Sequence, residues 1–228
     1  MGANMIPGNH FLEAHNDYLY LLDRHYPEKS ILRLVGDHYA LTAEERALLF
    51  RGSVKKELIE LRKHKRINVL PEESVLTVDG FNIFRTVGSY LNGNFVFEGM
   101  DGFLRDASEL HRQKLKWEVL EKATILILDF LRANKCRIAN FYFDTPISHS
   151  GDLTKHLIQK MKDYSLSGIA ETAYSPDHIL KQTEAGIICT SDSNIIDLSK
   201  VNVFDLSKSV LEYHFNPKIF SLKSYLKE

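Results

Sequence analysis

The stretch at 75–82, VLTVDGFN, places four apolar or β-branched residues directly before an aspartate and a glycine. An apolar run of this kind that ends in turn-forming residues predicts a β-strand, which we place at 75–83. Four further apolar runs, at 138–143, 169–174, 187–190 and 201–204, predict four more strands. The fold is therefore expected to contain a sheet of five strands.

Amphipathic helices are predicted between these strands, at 115–133, at 152–164, after Ser175-Pro176-Asp177 and after Asp192. Strands that alternate with helices are connected by right-handed crossovers, and these connections produce parallel sheets. We therefore expect an α/β fold with a mostly parallel five-stranded sheet covered by helices on both faces.

The residues before the first strand have a different pattern, because apolar residues recur there at three- and four-residue steps. Thr42 and Glu45 have the spacing of a capping box, which begins a helix. A basic run, RKHKR, follows at 62–66. We expect a small all-helical N-terminal region at 1–70 with this basic run at its end, and an α/β domain at 71–228.

The composition excludes several classes of protein. Twenty-nine basic and thirty acidic side chains give a formal charge of −1, so no global field favours nucleic acid or membrane. Cys136 and Cys189 form no CxxC motif, so we expect two buried core thiols. The sequence has no signal-peptide pattern, and its most apolar stretch, 123–131, is short. We expect a cytoplasmic protein with no membrane contact, and a homo-oligomer is possible.

Aspartates follow three of the predicted strands, at Asp79, Asp144 and Asp192. The carboxyl ends of parallel strands lie at one edge of the sheet, where ligands bind in such folds. Ionised carboxylates repel one another, and a hard cation such as Mg²⁺ or Mn²⁺ neutralises them. The sequence thus predicts a divalent-metal site at this edge.

The motifs VDGFN at 78–82 and TSDSNIID at 190–197 resemble those of the PIN/NYN group of metal-dependent ribonucleases. The resemblance covers about two-thirds of the chain. The helical front followed by VDGFNIF, EGMDGFLRDASELH, FDTPISHSG and CTSDSNIIDL also resembles a prokaryotic family of unassigned function that is thought to be PIN-like. The resemblance implies a PIN/NYN-like fold and RNA as substrate.

The resemblance assigns metal-binding or catalytic roles to several acidic residues. It matches Asp79 to the metal-binding aspartate of the first strand, Asp192 to the acidic residue of the SDS turn and Asp197 to an additional acidic position. Asp144 fits the central strand end less specifically. The acidic member that such sites take from a helix is either Asp101 or Asp106.

One position departs from the pattern, because Asn194 stands where NYN-like proteins commonly have a second aspartate, in SDSD. Supporting roles in binding substrate are expected for six other residues: Asn82, Arg105, Ser148, Ser150, Ser191 and Ser193. Of these, Asn82 is expected to orient Asp79, and Arg105 to hold the scissile phosphate. Ser148 and Ser150 precede a predicted helix, whose N-terminal amides would suit phosphate.

We expect an enzyme that hydrolyses phosphodiester bonds with Mg²⁺ or Mn²⁺, most simply an endoribonuclease. A second interpretation is a catalytically inactive PIN-like module that binds nucleic acid or a partner, as Asn194 suggests. Each strand-end aspartate has an alternative role as a turn former or a helix cap. Asp101 and Arg105 also have the spacing of an i, i+4 ion pair on a solvated helix face. The basic run at 62–66 fits either a solvated helix face or contact with the RNA backbone. Phosphotransfer through an aspartyl-phosphate is a weaker third hypothesis.

Overall fold

The computed structural model describes residues 7–8, 10–107, 115–145 and 150–227. Its helices are α1 Phe11–Asp23, α2 Glu28–His38, α3 Ala43–Ala47, α4 Lys56–Lys65, α5 Gly80–Leu91, α6 Trp117–Ala133, α7 Ser150–Asp163, α8 Pro176–Gln182, α9 Ser193–Leu198, α10 Leu206–Phe215 and α11 Leu222–Tyr225. Its strands are β1 Arg66–Ile67, β2 Val75–Asp79, β3 Val96–Glu98, β4 Leu104–Asp106, β5 Ile138–Asp144, β6 Ser167–Ala173, β7 Ile187–Cys189, β8 Val203–Phe204 and β9 Phe220–Ser221. A π-helical turn, Leu48–Gly52, follows α3 directly.

The central sheet is parallel throughout and has the strand order β1-β8-β7-β2-β5-β6. Its two faces are both covered, because Cys189 packs into the core beneath α5, α6, α7 and α10, whereas the preceding Ile188 packs into a second core with residues of α8 and α9. The predicted parallel α/β architecture with an N-terminal helical region is confirmed. The sheet has six strands and not five, because Arg66 and Ile67 pair with β8.

The predicted strand at 75–83 is too long, since β2 ends at Asp79 and α5 begins at Gly80. Asp79 caps this helix by accepting a hydrogen bond from the backbone amide of Asn82. Ile83 and Val87, one helical turn apart, then lie in the main core. A cap followed by an i, i+4 apolar pair is a helix start, and this signal outweighs the apolar run.

The N-terminal helices share their core with the rest of the chain. Phe11, Tyr18 and Leu48 are fully buried in a cluster that also contains Phe97 of β3 and Leu222 of α11. The predicted capping box is present, since Thr42 and Glu45 bond each other's backbone amides. β3 lies between β4 and β9 in a small second sheet. Val96 of β3 packs in the main core and the next residue, Phe97, packs with the N-terminal helices, so this sheet lies between the two cores. None of the described helices is both long and apolar enough to cross a membrane.

Candidate metal site at the carboxyl edge of the sheet

The carboxyl ends of β2, β5 and β7 lie side by side, because β2 pairs with both of the other strands. Asp79 is the last residue of β2, and Asp144 is the last residue of β5. Asp192 follows β7 by three residues and caps α9. The topology thus places the three strand-end aspartates at one edge, as the sequence predicts.

Asp79 is the most buried member of this group, with 7% of its surface exposed. Its Oδ2 accepts a hydrogen bond of 2.8 Å from the hydroxyl of Thr190, and its Oδ1 accepts one of 3.2 Å from the amide of Asn82. Burial raises the pKa of Asp79 to about 7, although both hydrogen bonds oppose this shift. The negative charges of Asp192 and Asp177 raise the pKa further.

Thr190 connects Asp79 to Asp192. The Thr190 hydroxyl donates to Asp79 and accepts from the backbone amide of Asp192 at 3.1 Å. Oδ1 of Asp192 accepts from the amides of Asn194 and Ile195 at 2.9 and 3.0 Å, so Asp192 does act as a helix cap. Its cap bonds occupy one carboxylate oxygen, and no described residue donates a hydrogen bond to the other.

Asp177 is a member of this acidic group that the sequence reasoning missed. It lies in the first turn of α8, and its charge raises the pKa of both Asp79 and Asp144. For Asp144, burial is the larger cause. Asp177 follows β6 by four residues, so the rule that polar residues follow parallel strands also indicates this aspartate.

The chemistry of this edge fits a hard divalent cation. Carboxylates that raise one another's pKa lose that repulsion when a cation lies among them. No three His, Cys, Asp or Glu side chains among the described residues are arranged to bind one metal ion together. Mg²⁺ commonly takes one or two protein carboxylates and fills its other positions with water and substrate phosphates. Asp79 and Asp192 would supply such a pair.

Asp101, a predicted catalytic residue, lies instead in a buried ion-pair network. Arg105 donates to both of its carboxylate oxygens at 2.7 Å, and Arg62 donates to Oδ2 at 2.7 Å. Burial alone would raise the pKa of Asp101, but the two guanidinium groups lower it to about 2. Because its side chain has no exposed surface, Asp101 is a structural anion and we exclude it from the metal site.

Asp106 and Asp197 are likewise held by arginines. Arg51 bonds both the backbone carbonyl and the carboxylate of Asp106, which is 1% exposed and also pairs with Arg85 at 3.6 Å. Arg62 donates to both oxygens of Asp197, at 2.6 and 2.7 Å. The sequence shows where these acids stand but not the arginines that neutralise them. We therefore exclude both from the metal site.

The predicted substrate-binding residues mostly stabilise the turn that carries Asp192. Arg105 is 1% exposed and donates to the Ser191 carbonyl and to the Ser193 hydroxyl, so its guanidinium is engaged by protein groups and is not free to hold a phosphate. Asn82 accepts from the amide and the hydroxyl of Ser191 at 2.9 and 3.0 Å. These contacts correct the predicted roles of Arg105 and Ser191 from binding substrate to positioning the turn. Asn82 also donates its backbone amide to Asp79, the residue that it was expected to orient.

For two other predicted substrate-binding residues, Ser148 and Ser150, the structure does not describe the side chain. Ser148 lies outside the described residues, and Ser150 is the first residue of α7 with an undescribed side chain.

The fold and the edge together define a class of protein, a parallel α/β protein with carboxylates gathered at the ends of its central strands. Residues 70–209 match the model of the family described as "Domain of unknown function (DUF5616)", and the chain belongs to this family. Residues 10–65 match a model described as "Protein of unknown function (DUF434)". An uncharacterized protein of Methanocaldococcus jannaschii is 31% identical over 185 residues, which cover 80% of this chain and 87% of that protein. No solved structure matches the chain.

Proposed function

We propose that this protein is a divalent-metal-dependent phosphodiesterase, and specifically an endoribonuclease that acts on RNA. The observation that carries the proposal is the link between Asp79 and Asp192 through the Thr190 hydroxyl, at the edge where a parallel sheet binds its ligands. Asp177 and Asp144 add charge to the same edge. The choice of RNA rests on the resemblance of VDGFN and TSDSNIID to PIN/NYN ribonucleases.

Each residue of the edge has a distinct part in this proposal. Asp79 and Asp192 would hold Mg²⁺ or Mn²⁺, which in such sites polarises a phosphoryl oxygen and generates the attacking hydroxide from water. Thr190 and the Asn82 amide fix the orientation of the Asp79 carboxylate. Asp144, which is half-buried, and Asp177 add negative charge at this edge and would take up a proton at a carboxylate oxygen.

The test combines metal binding with RNA cleavage in one buffer. Mn²⁺ is titrated by calorimetry into the wild type, Asp79→Asn and Asp192→Asn, and cleavage of a mixed RNA substrate is followed on gels. Asp163→Asn is the matched control, because Asp163 ends α7 just before β6 begins at Ser167, at the amino ends of the parallel strands. Binding and cleavage should disappear together in the two site variants and persist in the control. A folded wild type that binds no Mn²⁺ would contradict the proposal.

A second candidate is a module that binds nucleic acid or a partner without turnover. It is favoured by the engagement of Asp101, Asp106 and Asp197 with arginines, together with Asn194 in the SDS turn. This candidate predicts RNA binding that is unchanged by chelation of divalent metal and unchanged in Asp79→Asn. Metal-dependent cleavage that is lost in Asp79→Asn would exclude it.

A further inference from the structure

A cleft of about 610 Å³ lies between the N-terminal helices and the turn that carries Asp192. One wall comes from Leu22 of α1, Glu28 of α2 and the stretch from the π-helical turn through 53–55 into α4, and the other comes from 191–194 and α9. Pockets that hold ligands of nucleotide size have volumes of about 300–1,000 Å³. The cleft is therefore large enough for one nucleotide, and it opens beside the proposed metal site.

The N-terminal wall is built on an unusual piece of backbone. The π-helical turn inserts one extra residue into each turn of helix, and such turns occur frequently at functional sites. It brings Phe50 and Arg51 to the cleft. Arg51 is held by Asp106 at 3.0 Å, and so the wall is fixed to β4. Phe50 thus presents an aromatic side chain on a rigid support.

The rest of the lining is both apolar and polar. Leu198, which is 60% exposed, lines the cleft from α9. The ammonium group of Lys55 and the side-chain amide of Asn194 have no hydrogen-bond partner among the described residues. The hydroxyl of Ser53, a buried residue of the same lining, is also without a partner in that part of the chain. An aromatic group, a cation and unused hydrogen-bonding groups are therefore combined in one place.

The cleft is lined by charges of both signs. Two acids in its lining, Glu28 and Asp192, already have other roles, because Glu28 accepts a hydrogen bond of 2.9 Å from the Tyr18 hydroxyl and Asp192 is a proposed metal ligand. Arg62 and Arg105 also line the cleft, but both are neutralised by Asp101, and Arg62 also by Asp197. Arg51 is paired with Asp106, so among the described residues of the lining Lys55 is the cation without a paired acid. Phosphate binding by a lysine ammonium requires only a point charge of this kind.

From these observations we propose that the cleft binds one unstacked nucleotide of single-stranded RNA, next to the phosphodiester bond that the metal site cleaves. The phosphate lies at Lys55, the base packs against Phe50 and Leu198, and Asn194 bonds an edge of the base. A base inside a duplex is stacked on both sides and cannot reach Phe50, so the site selects unpaired RNA. This inference rests on the proposed function, and it gives the N-terminal region the role of a substrate-binding wall.

The test measures binding without cleavage. A fluorescein-labelled oligouridylate of about ten nucleotides, long enough to cross a single-strand site, is titrated by anisotropy in EDTA. The key comparison is Lys55→Gln against Lys56→Gln, because the two lysines are adjacent but only Lys55 lines the cleft. Phe50→Leu keeps an apolar side chain and removes the aromatic face. Thermal melting of each variant controls for folding.

The expected results are specific to the cleft. Lys55→Gln should weaken binding roughly fivefold and reduce the salt dependence by about one phosphate contact. Phe50→Leu should weaken binding roughly tenfold, as expected for the loss of one stacked base. Lys56→Gln should bind as the wild type does. Equal losses in the two lysine variants, or equal affinity for a duplex of the same length, would overturn the proposal.

The outcomes also separate this inference from the nuclease proposal. Oligonucleotide binding that depends on Lys55 and Phe50, without any metal-dependent cleavage, would support the proposed nucleotide site and exclude the proposed nuclease activity. Cleavage that requires Asp79 but is unchanged in Phe50→Leu and Lys55→Gln would exclude the proposed nucleotide site and support the proposed nuclease activity.

Discussion

The buried ion-pair network gives the sharpest prediction for stability. Arg62 is 3% exposed and bonds Asp101 and Asp197 from a helix of the N-terminal region. Removing one partner of a buried ion pair costs about 3–5 kcal/mol, because the remaining charge is left without compensation. In Arg62→Met, Asp101 keeps its two bonds from Arg105. We therefore expect the lower end, a loss of about 3 kcal/mol in the free energy of unfolding at pH 7.

Asp101→Asn should be more damaging than Arg62→Met. It leaves the guanidinium of Arg105, which is 1% exposed, without its carboxylate partner. A loss of about 5 kcal/mol in the free energy of unfolding is therefore expected. Urea unfolding followed by the fluorescence of Trp117, the single tryptophan, measures both variants. Arg33→Met is the matched control, because Arg33 is 87% exposed and its contact with Asp37 is 3.9 Å long. No measurable change is expected there.

The effect should also depend on pH, with a sign fixed by the lowered pKa of Asp101. The carboxylate is ionised and contributes its stabilisation above about pH 4, and this contribution is lost as the pH falls through about 2. The difference in the free energy of unfolding between the wild type and Arg62→Met should therefore be constant above about pH 5 and become smaller in acid. An Arg62→Met variant that is no less stable than Arg33→Met would refute the reasoning.

Three further predictions concern the edge and the sheet. Burial raises the pKa of Asp79 to about 7, so its protonated form favours folding below about pH 4 and this advantage is lost as the pH rises through 7. Asp79→Asn should therefore have a larger free energy of unfolding than the metal-free wild type, by up to about 3 kcal/mol at pH 8. Urea unfolding at pH 5 and pH 8 measures this difference, and a difference that does not depend on pH would contradict the prediction. Thr190→Val removes the hydroxyl bonded to Asp79 and should weaken Mn²⁺ binding at least roughly tenfold in calorimetry, whereas wild-type affinity would show that Thr190 does not orient the carboxylate. Gly168 has a φ of +136°, and a Cβ atom there would lie 2.0 Å from the Ala139 carbonyl oxygen. Gly168→Ala should therefore lower the free energy of unfolding by about 3 kcal/mol in urea unfolding. A change below about 1 kcal/mol would contradict this close approach.

The parts of the fold that the sequence predicts are those with a local signal. β5 and β6, of seven residues each, carry enough apolar residues to be recognised, and Ser175-Pro176 begins α8 as expected. β1, β3, β4 and β9 have only two or three residues each. A strand this short has no periodicity of its own; β7 and β8 are equally short and were predicted because they lie within the apolar runs at 187–190 and 201–204. β1, β3, β4 and β9, by contrast, were missed.

The same distinction explains the site. The rule that polar residues follow parallel strands located Asp79, Asp144 and Asp192 at one edge. It gave no information about ion pairs, since Arg62 and Asp101 are 39 positions apart and Arg62 and Asp197 are 135 apart. An acid within a motif and an acid neutralised by a distant arginine look identical in the sequence. The pairing depends on tertiary structure, and only the structure removes Asp101 and Asp197 from the metal site.

The two matched family segments meet near residues 65–70, yet the physical unit extends across that boundary. Lys65 donates hydrogen bonds to the carbonyl oxygens of Ile196, Asp197 and Ser199, which lie at the end of α9. Arg62 holds the same helix through the Asp197 carboxylate. Asp192 caps the other end of α9, so the position of this proposed metal ligand depends on a helix that the N-terminal region holds in place. A chain that begins after residue 70 would lack both contacts, and metal binding at Asp192 is therefore expected to require the N-terminal region even though that region contributes no ligand.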